Sequence, residues 1–167
     1  MKNFVAMTAC SLMLIVAAAT AYGAEDEEQK VPNESMTIAR LDQILKQLEP
    51  SIKGPTGRWQ LIRDGIQLMV LTDESGNRVR IVAPITGTPD ATLYTLLRMM
   101  EANFFTAMDA RYALFKGMIW VTYIHPLDSL HERDFVAALQ QVITLVKTTG
   151  TTYSSSELEF RSPGEKK

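Results

Sequence analysis

Cysteine is nearly missing from these 167 residues, and the one thiol, Cys10, sits inside an apolar N-terminal run. Once that run is removed no thiol remains, which excludes disulfides, thiolate metal sites and cysteine nucleophiles together. An excess of positive charge is missing too: 17 Lys and Arg face 19 Asp and Glu, for a net charge of −2. With no basic stripe along the chain, neither nucleic acid nor an anionic lipid surface is expected as the main partner. The motifs of group-transfer chemistry are absent as well. There is no GxSxG; Ser75 reads as a turn residue and Ser129 as a helix cap. Gly87-Thr88-Pro89 lacks the glycine spacing and the Lys-Ser/Thr pair of a phosphate loop.

Only two histidines occur, His125 before Pro126 and His131 near a helix start. Two ligands on one helical face need a spacing of four, as in HExxH, which this pair does not have. Asp128 and Glu132 nearby leave a weak surface metal site as the alternative to plain loop and cap residues. No catalytic residue, metal or cofactor is expected. Arg58, Arg63, Arg78 and Arg80 are scattered on strands, and a solvated sheet face is their expected setting, a carboxylate-binding patch the alternative.

What is present begins with an address. Lys2, an apolar run from Phe4 to Ala19, small residues and then Glu25-Asp26-Glu27-Glu28 have the order of a secretory signal peptide over residues 1–23. Cleavage after Ala21 or Gly23 both fit, and a retained anchor is the competing reading of so short a run. Cys10 lies too early in the run for a lipobox. Residues 24–34 read as an acidic linker, 35–150 as one domain, and 151–167 as a polar tail in which Leu158 and Phe160 can dock back. The expected location is periplasmic or secreted, with no stable membrane span after signal cleavage.

Within the domain, periodicity sets the elements. Ile38, Leu41, Ile44, Leu45, Leu48 and Ile52 share one face of a helix ended by Pro50 and by Gly54-Pro55. Apolar runs at 59–62, 66–71 and 79–85 follow as strands, the first two joined by the hairpin pair Asp64-Gly65. A second helix is expected from Thr88 as N-cap, with Pro89 and Asp90 in its first turn. Its core face is read as Leu93, Leu96, Leu97, Met100, Phe104, Ala107 and Met108, leaving Tyr94, Met99 and Phe105 elsewhere on the cylinder. Strands at 112–115 and 118–124 turn about Lys116-Gly117. The second is apolar on both faces: Met118, Trp120 and Ile124 on one, Ile119, Val121 and Tyr123 on the other. A capping box, Ser129 with Glu132, opens a last helix whose face is Phe135, Val136, Leu139, Val142, Ile143 and Val146. Asn103, at the edge of its helix's apolar arc, needs backbone partners and is expected to find them in the turn leading to Tyr112. The order α-βββ-α-ββ-α makes an α+β domain with a single antiparallel sheet.

This order resembles the fold of class I type III secretion chaperones and the related YbjN-like proteins over roughly residues 36–147. The stretches Asn103-Phe104-Phe105, Arg111-Tyr112-Ala113-Leu114 and Gly117-Met118-Ile119-Trp120-Val121 carry the likeness. The resemblance implies a small, acidic, homodimeric protein that binds unfolded segments of secreted partners, or, in the YbjN-like branch, acts in regulation. Those chaperones work in the cytosol, whereas this chain carries an export signal, so the non-enzymatic binding character alone is carried over.

The residues point the same way. Apolar positions off a helix's core face, beside a strand apolar on both faces, suit an isologous dimer or partner surface. Tyr94, Met99, Phe105, Trp120 and Tyr123 are the candidates, and Met99, Met100, Met108 and Met118 suit a surface accepting varied partners or a plain core. The leading expectation is an exported protein- or peptide-binding module, chaperone-like or a regulatory adaptor, holding a segment of another envelope protein or a second copy of itself. Alternatives are a sensory domain taking a small apolar ligand and, behind it, an enzyme using His125, Asp128 or His131.

Overall fold

Turn chemistry decides where the chain reverses. Asp64 and Gly65 (φ 53° and 77°), like Lys116 and Gly117 (φ 49° and 72°), take the two positive-φ positions of a tight hairpin. The computed structural model describes residues 35–156. The expected signal peptide and linker, and the tail residues Leu158 and Phe160, lie outside the described residues.

The elements are α1 (Ile38–Leu48), β1 (Arg58–Arg63), β2 (Ile66–Asp73), β3 (Arg78–Gly87), α2 (Leu93–Phe105), β4 (Arg111–Phe115), β5 (Met118–Pro126) and α3 (Glu132–Lys147). The five strands form one antiparallel sheet in the order β1-β2-β3-β5-β4. This is the α+β architecture that the periodicity implies. The strand apolar on both faces, β5, is central, between β3 and β4.

Alternation along the strands gives the sheet one covered and one open face. Trp59, Leu61, Leu68, Val70, Val79, Ile81, Ile119, Val121 and Tyr123 are buried under the helices. From α1 come Leu41, Ile44 and Leu45, and from α3 Phe135, Leu139, Val142 and Ile143. A buried indole donor needs an acceptor, and Trp59 Nε1 donates to Asp42 Oδ1 at 2.8 Å, tying β1 to α1. Lys46, one turn along α1, bonds the other carboxylate oxygen, and the two together hold the Asp42 carboxyl below its usual pKa.

Both later helices start further along than their sequence signals. Strand β3 runs on to Gly87, paired with Met118, and Thr88 N donates to Gly117 O. Thr88–Asp90 therefore form a single 3₁₀ turn, and Thr92 caps α2 by accepting from Thr95 N at 3.1 Å. Ser129 likewise lies in a turn, because Leu130 is pulled into the core and its N–H bonds Leu127 O. His131 takes the N-cap position without a side-chain bond, and Glu132 and Asp134 supply the acidic first turn.

The packed body runs past residue 150. Tyr153, Ser154 and Ser155 are buried, and Ser155 N and Thr106 O pair at 3.2 Å, fastening the end of the described chain to the end of α2.

Candidate functional site

Helix α2 is aimed by one amide. Asn103 Oδ1 accepts from Tyr112 N at 2.7 Å while Nδ2 donates to Tyr112 O at 3.1 Å, as a neighbouring strand would do for edge strand β4. The turn-serving role expected of Asn103 is met at the residue expected. Tyr112 is itself anchored, its hydroxyl donating to Leu145 O at 3.1 Å and lying 3.1 Å from Thr149 Oγ1. Burial pushes that phenol up to about 12.

Fixing Asn103 against β4 turns Met99 and Ala102 inward, one at 3% exposure and the other at 5%. The face read from the sequence as core therefore points out: Leu93 is 73% exposed, Leu97 54%, Met100 64% and Phe104 81%. Only Leu96 and Ala107 of the expected arc pack against or into the core, and Met108 is half-buried. The reversal has a physical reason. The apolar stripe is the wider hydrophobic feature, but Asn103 has just one place where both its amide groups find backbone partners, and that place sets the helix's rotation.

The five expected surface residues separate accordingly. Tyr94 and Phe105 are exposed and Trp120 is half-buried on the open sheet face. Met99 and Tyr123 are corrected: both are buried in the chain's own body, Met99 through the rotation of α2 and Tyr123 on the helix-covered side of β5. The sequence reading missed Leu114 and Phe115 on β4, each 61% exposed. Their signal was available, since β4 is short and lies at the sheet edge.

A second apolar surface lies on the open face of the sheet. Met69, Leu71, Val82, Trp120 and Ile124 line a groove of about 370 Å³ with Arg80 in its wall. Arg78 and Arg80 both stand on this face, exposed, opposite the buried Val79 and Ile81.

His125 and His131 are not brought into a metal centre. Among the described residues no group of three or more His, Cys, Asp or Glu side chains is placed to hold a metal ion. His125 Nδ1 lies 2.7 Å from its neighbour's carbonyl, Pro126 O, and its ring stacks on Tyr123. No helix among the described residues is long and apolar enough to cross a membrane.

No protein-family model matches the chain, and no curated protein matches it. Solved structures do. A chain of the HopA1–SchA chaperone–effector complex superposes with a TM-score of 0.52 at 14% identity, covering 65% of this chain and 88% of that one. A chain of the complex of the Yersinia pestis type III secretion chaperone SycH with a stable fragment of YscM2 gives 0.51 at 16% identity, covering 68% and 100%. E. coli YbjN gives 0.49 at 17% identity, covering 67% and 91%. The two chaperone complexes carry the comparison, and at such identities they speak to architecture. The strand order, the helices laid on one face of the sheet and these superpositions together establish that the chain has the fold of the type III secretion chaperones.

Proposed function

We propose that the protein is an exported, non-enzymatic binding module, chaperone-like or a regulatory adaptor, that works as a homodimer and holds a polypeptide segment of another envelope protein. The observation that carries the reading is the unpartnered stripe of α2. Leu93, Leu97, Met100 and Phe104 follow one another along one side of the helix, more than half exposed. A contiguous apolar stripe left in water marks a surface for another chain, and α2 covers only its other side within the described chain. A two-fold axis beside the stripe would let each copy cover the other. The sheet-face groove beyond it is open, apolar and walled by Arg80, which suits a polypeptide segment that carries apolar side chains and an acidic group. Export is supported by the charged start, apolar run and small-residue exit of residues 1–23.

Light scattering on the purified protein tests the assembly, with a Leu97→Glu, Met100→Glu double substitution as comparison. The expected result is twice the chain mass for the wild type and the single mass for the double variant, with the thermal midpoint of the folded body retained. A wild type that stays monomeric at high micromolar concentration refutes the dimer. Fusion of residues 1–34 to a reporter active only after export tests the address, and an inactive reporter refutes it.

A further inference from the structure

A polar pocket of about 400 Å³ lies where α3 and β5 meet the loop that leads into β4. Asp109, Arg111, Tyr123, His125, Asp134 and Gln141 stand in its walls. It faces away from the open sheet face, since Tyr123 belongs to the covered side of β5. Nothing in the binding reading above uses it.

Its hydrogen bonds do not close. Tyr123 is only 5% exposed, yet its hydroxyl makes no hydrogen bond among the described residues. The hydroxyl oxygen is not sealed off but opens onto the pocket, so its partner is whatever fills that space, water or a ligand. Asp109 is occupied at one oxygen only, where Oδ2 accepts from Gln141 Nε2 at 3.2 Å. Gln141 in turn spends Oε1 on Asp109 N and Ala110 N. Asp134 has as ion-pair partner its sequence neighbour Arg133, at 3.6 Å. Arg111, the one cation in these walls, gives Nη1 to Ala107 O and Ala110 O, each at 3.0 Å, and makes no ion pair with Asp109 or Asp134.

The remaining wall is polar as well. Pro126 O can only accept, so His125 Nδ1 is the donor of that contact, and Nε2 makes no hydrogen bond among the described residues. His125 and Tyr123 lie parallel, with ring centroids 6.1 Å apart and planes 2° from each other. Asp109 and Asp134 both act electrostatically on the Tyr123 hydroxyl, which burial first and these charges second push up to about 12. Both carboxylates thus bear on the spot that the hydroxyl occupies.

Two carboxylates against the single wall cation Arg111, with a phenol oxygen open to the space between flat stacked rings, ask for a flat cation with several N–H donors. We propose that this pocket binds a guanidinium group, with Asp109 and Asp134 as its counter-charges, Tyr123 as its remaining acceptor and the Tyr123 and His125 rings as the flat surface beside it. Guanidinium fits better than ammonium because its rigid planar fork reaches several acceptors at once and lies well against aromatic rings. A divalent metal fits worse, as the cluster does not assemble three ligands. The guanidinium can belong to an arginine side chain of a polypeptide or to a free small molecule.

Titration calorimetry of the purified protein with methylguanidine and with the capped tripeptide acetyl-Gly-Arg-Gly-amide tests the site, with butylamine as comparison. Saturable binding at about 1 mM or tighter is expected for at least one guanidinium compound, roughly tenfold tighter than for butylamine. A preference for the tripeptide assigns an arginine side chain, and a preference for methylguanidine a free ligand. The near-isosteric Asp109→Asn, Asp134→Asn pair should abolish binding, Tyr123→Phe should weaken it about fivefold to tenfold, and Asp90→Asn should leave it unchanged. Should the double variant fail to fold, Tyr123→Phe carries the test. No saturation by either guanidinium compound, butylamine binding equally well, or binding indifferent to these substitutions would overturn the proposal.

Discussion

Asn103→Ala removes the amide that holds α2 against β4, and its cost can be worked from the two bonds lost. Oδ1 accepts from Tyr112 N at 2.7 Å and Nδ2 donates to Tyr112 O at 3.1 Å, both well inside good geometry. Each bond contributes about 1 kcal/mol net, and stranding the Tyr112 N–H and C=O costs more where water does not reach them. Asn103 is half-buried, so water replaces part of the loss, and a total of about 2–3 kcal/mol is expected. For a folded body of this size that corresponds to a fall of roughly 8–12 °C in the thermal midpoint. Urea unfolding followed by circular dichroism, with thermal melts alongside, reads the difference. Asn103→Asp sharpens the test: it keeps the acceptor for Tyr112 N but sets a carboxylate oxygen against Tyr112 O. At neutral pH it should lose at least as much as the alanine variant, and recover part of the loss below about pH 4, where the carboxyl regains a proton to donate. A loss under about 0.5 kcal/mol for Asn103→Ala, or full stability of Asn103→Asp at neutral pH, would refute the account of how α2 is aimed.

Gly54→Ala should destabilise by about 2–4 kcal/mol, because the residue sits at φ +102° and a Cβ there would lie 2.2 Å from Arg58 O, forcing apart the Lys53–Gln60 bridge. Gly150→Ala, at φ +86° with nothing within 4 Å, should cost only about 1 kcal/mol in the same urea titrations, and equal losses would contradict the steric argument. Burial raises both the Tyr112 and Tyr123 phenols from 10.0 to about 12. A raised folded-state pKa contributes stability that is complete below the unfolded value and lost as pH rises through the folded one, so urea midpoints should hold to about pH 10 and fall toward pH 12. Tyr112→Phe should flatten that fall, and an unchanged slope would contradict it.

How much of this was legible in the chain differs from element to element. Asp64-Gly65 and Lys116-Gly117 name their hairpins because few residue pairs tolerate two positive φ values. Thr88-Pro89-Asp90 has every mark of a helix start, but the pairing of Gly87 with Met118 keeps the chain in the sheet, and the cap passes to Thr92. Ser129 lost its cap in the same way, to the burial of Leu130. The exposed apolar surface was half legible. Tyr94, Phe105 and Trp120 stand on the exposed or open side, while Met99 and Tyr123 are inside. The guanidinium pocket had no sequence signal, because Asp109, Tyr123 and Asp134 come from a loop, a strand and a helix and share no spacing.

Local chemistry by itself determined the element order, the turns and the single sheet, because each depends on φ preferences or on apolar periods a few residues long. It also showed that α2 carries more apolar surface than one core can use. Which side of α2 faces water was decided only by tertiary structure. A helix apolar on two sides has two nearly equal ways to pack, and the choice fell to the pair of hydrogen bonds between Asn103 and a strand nine residues further on.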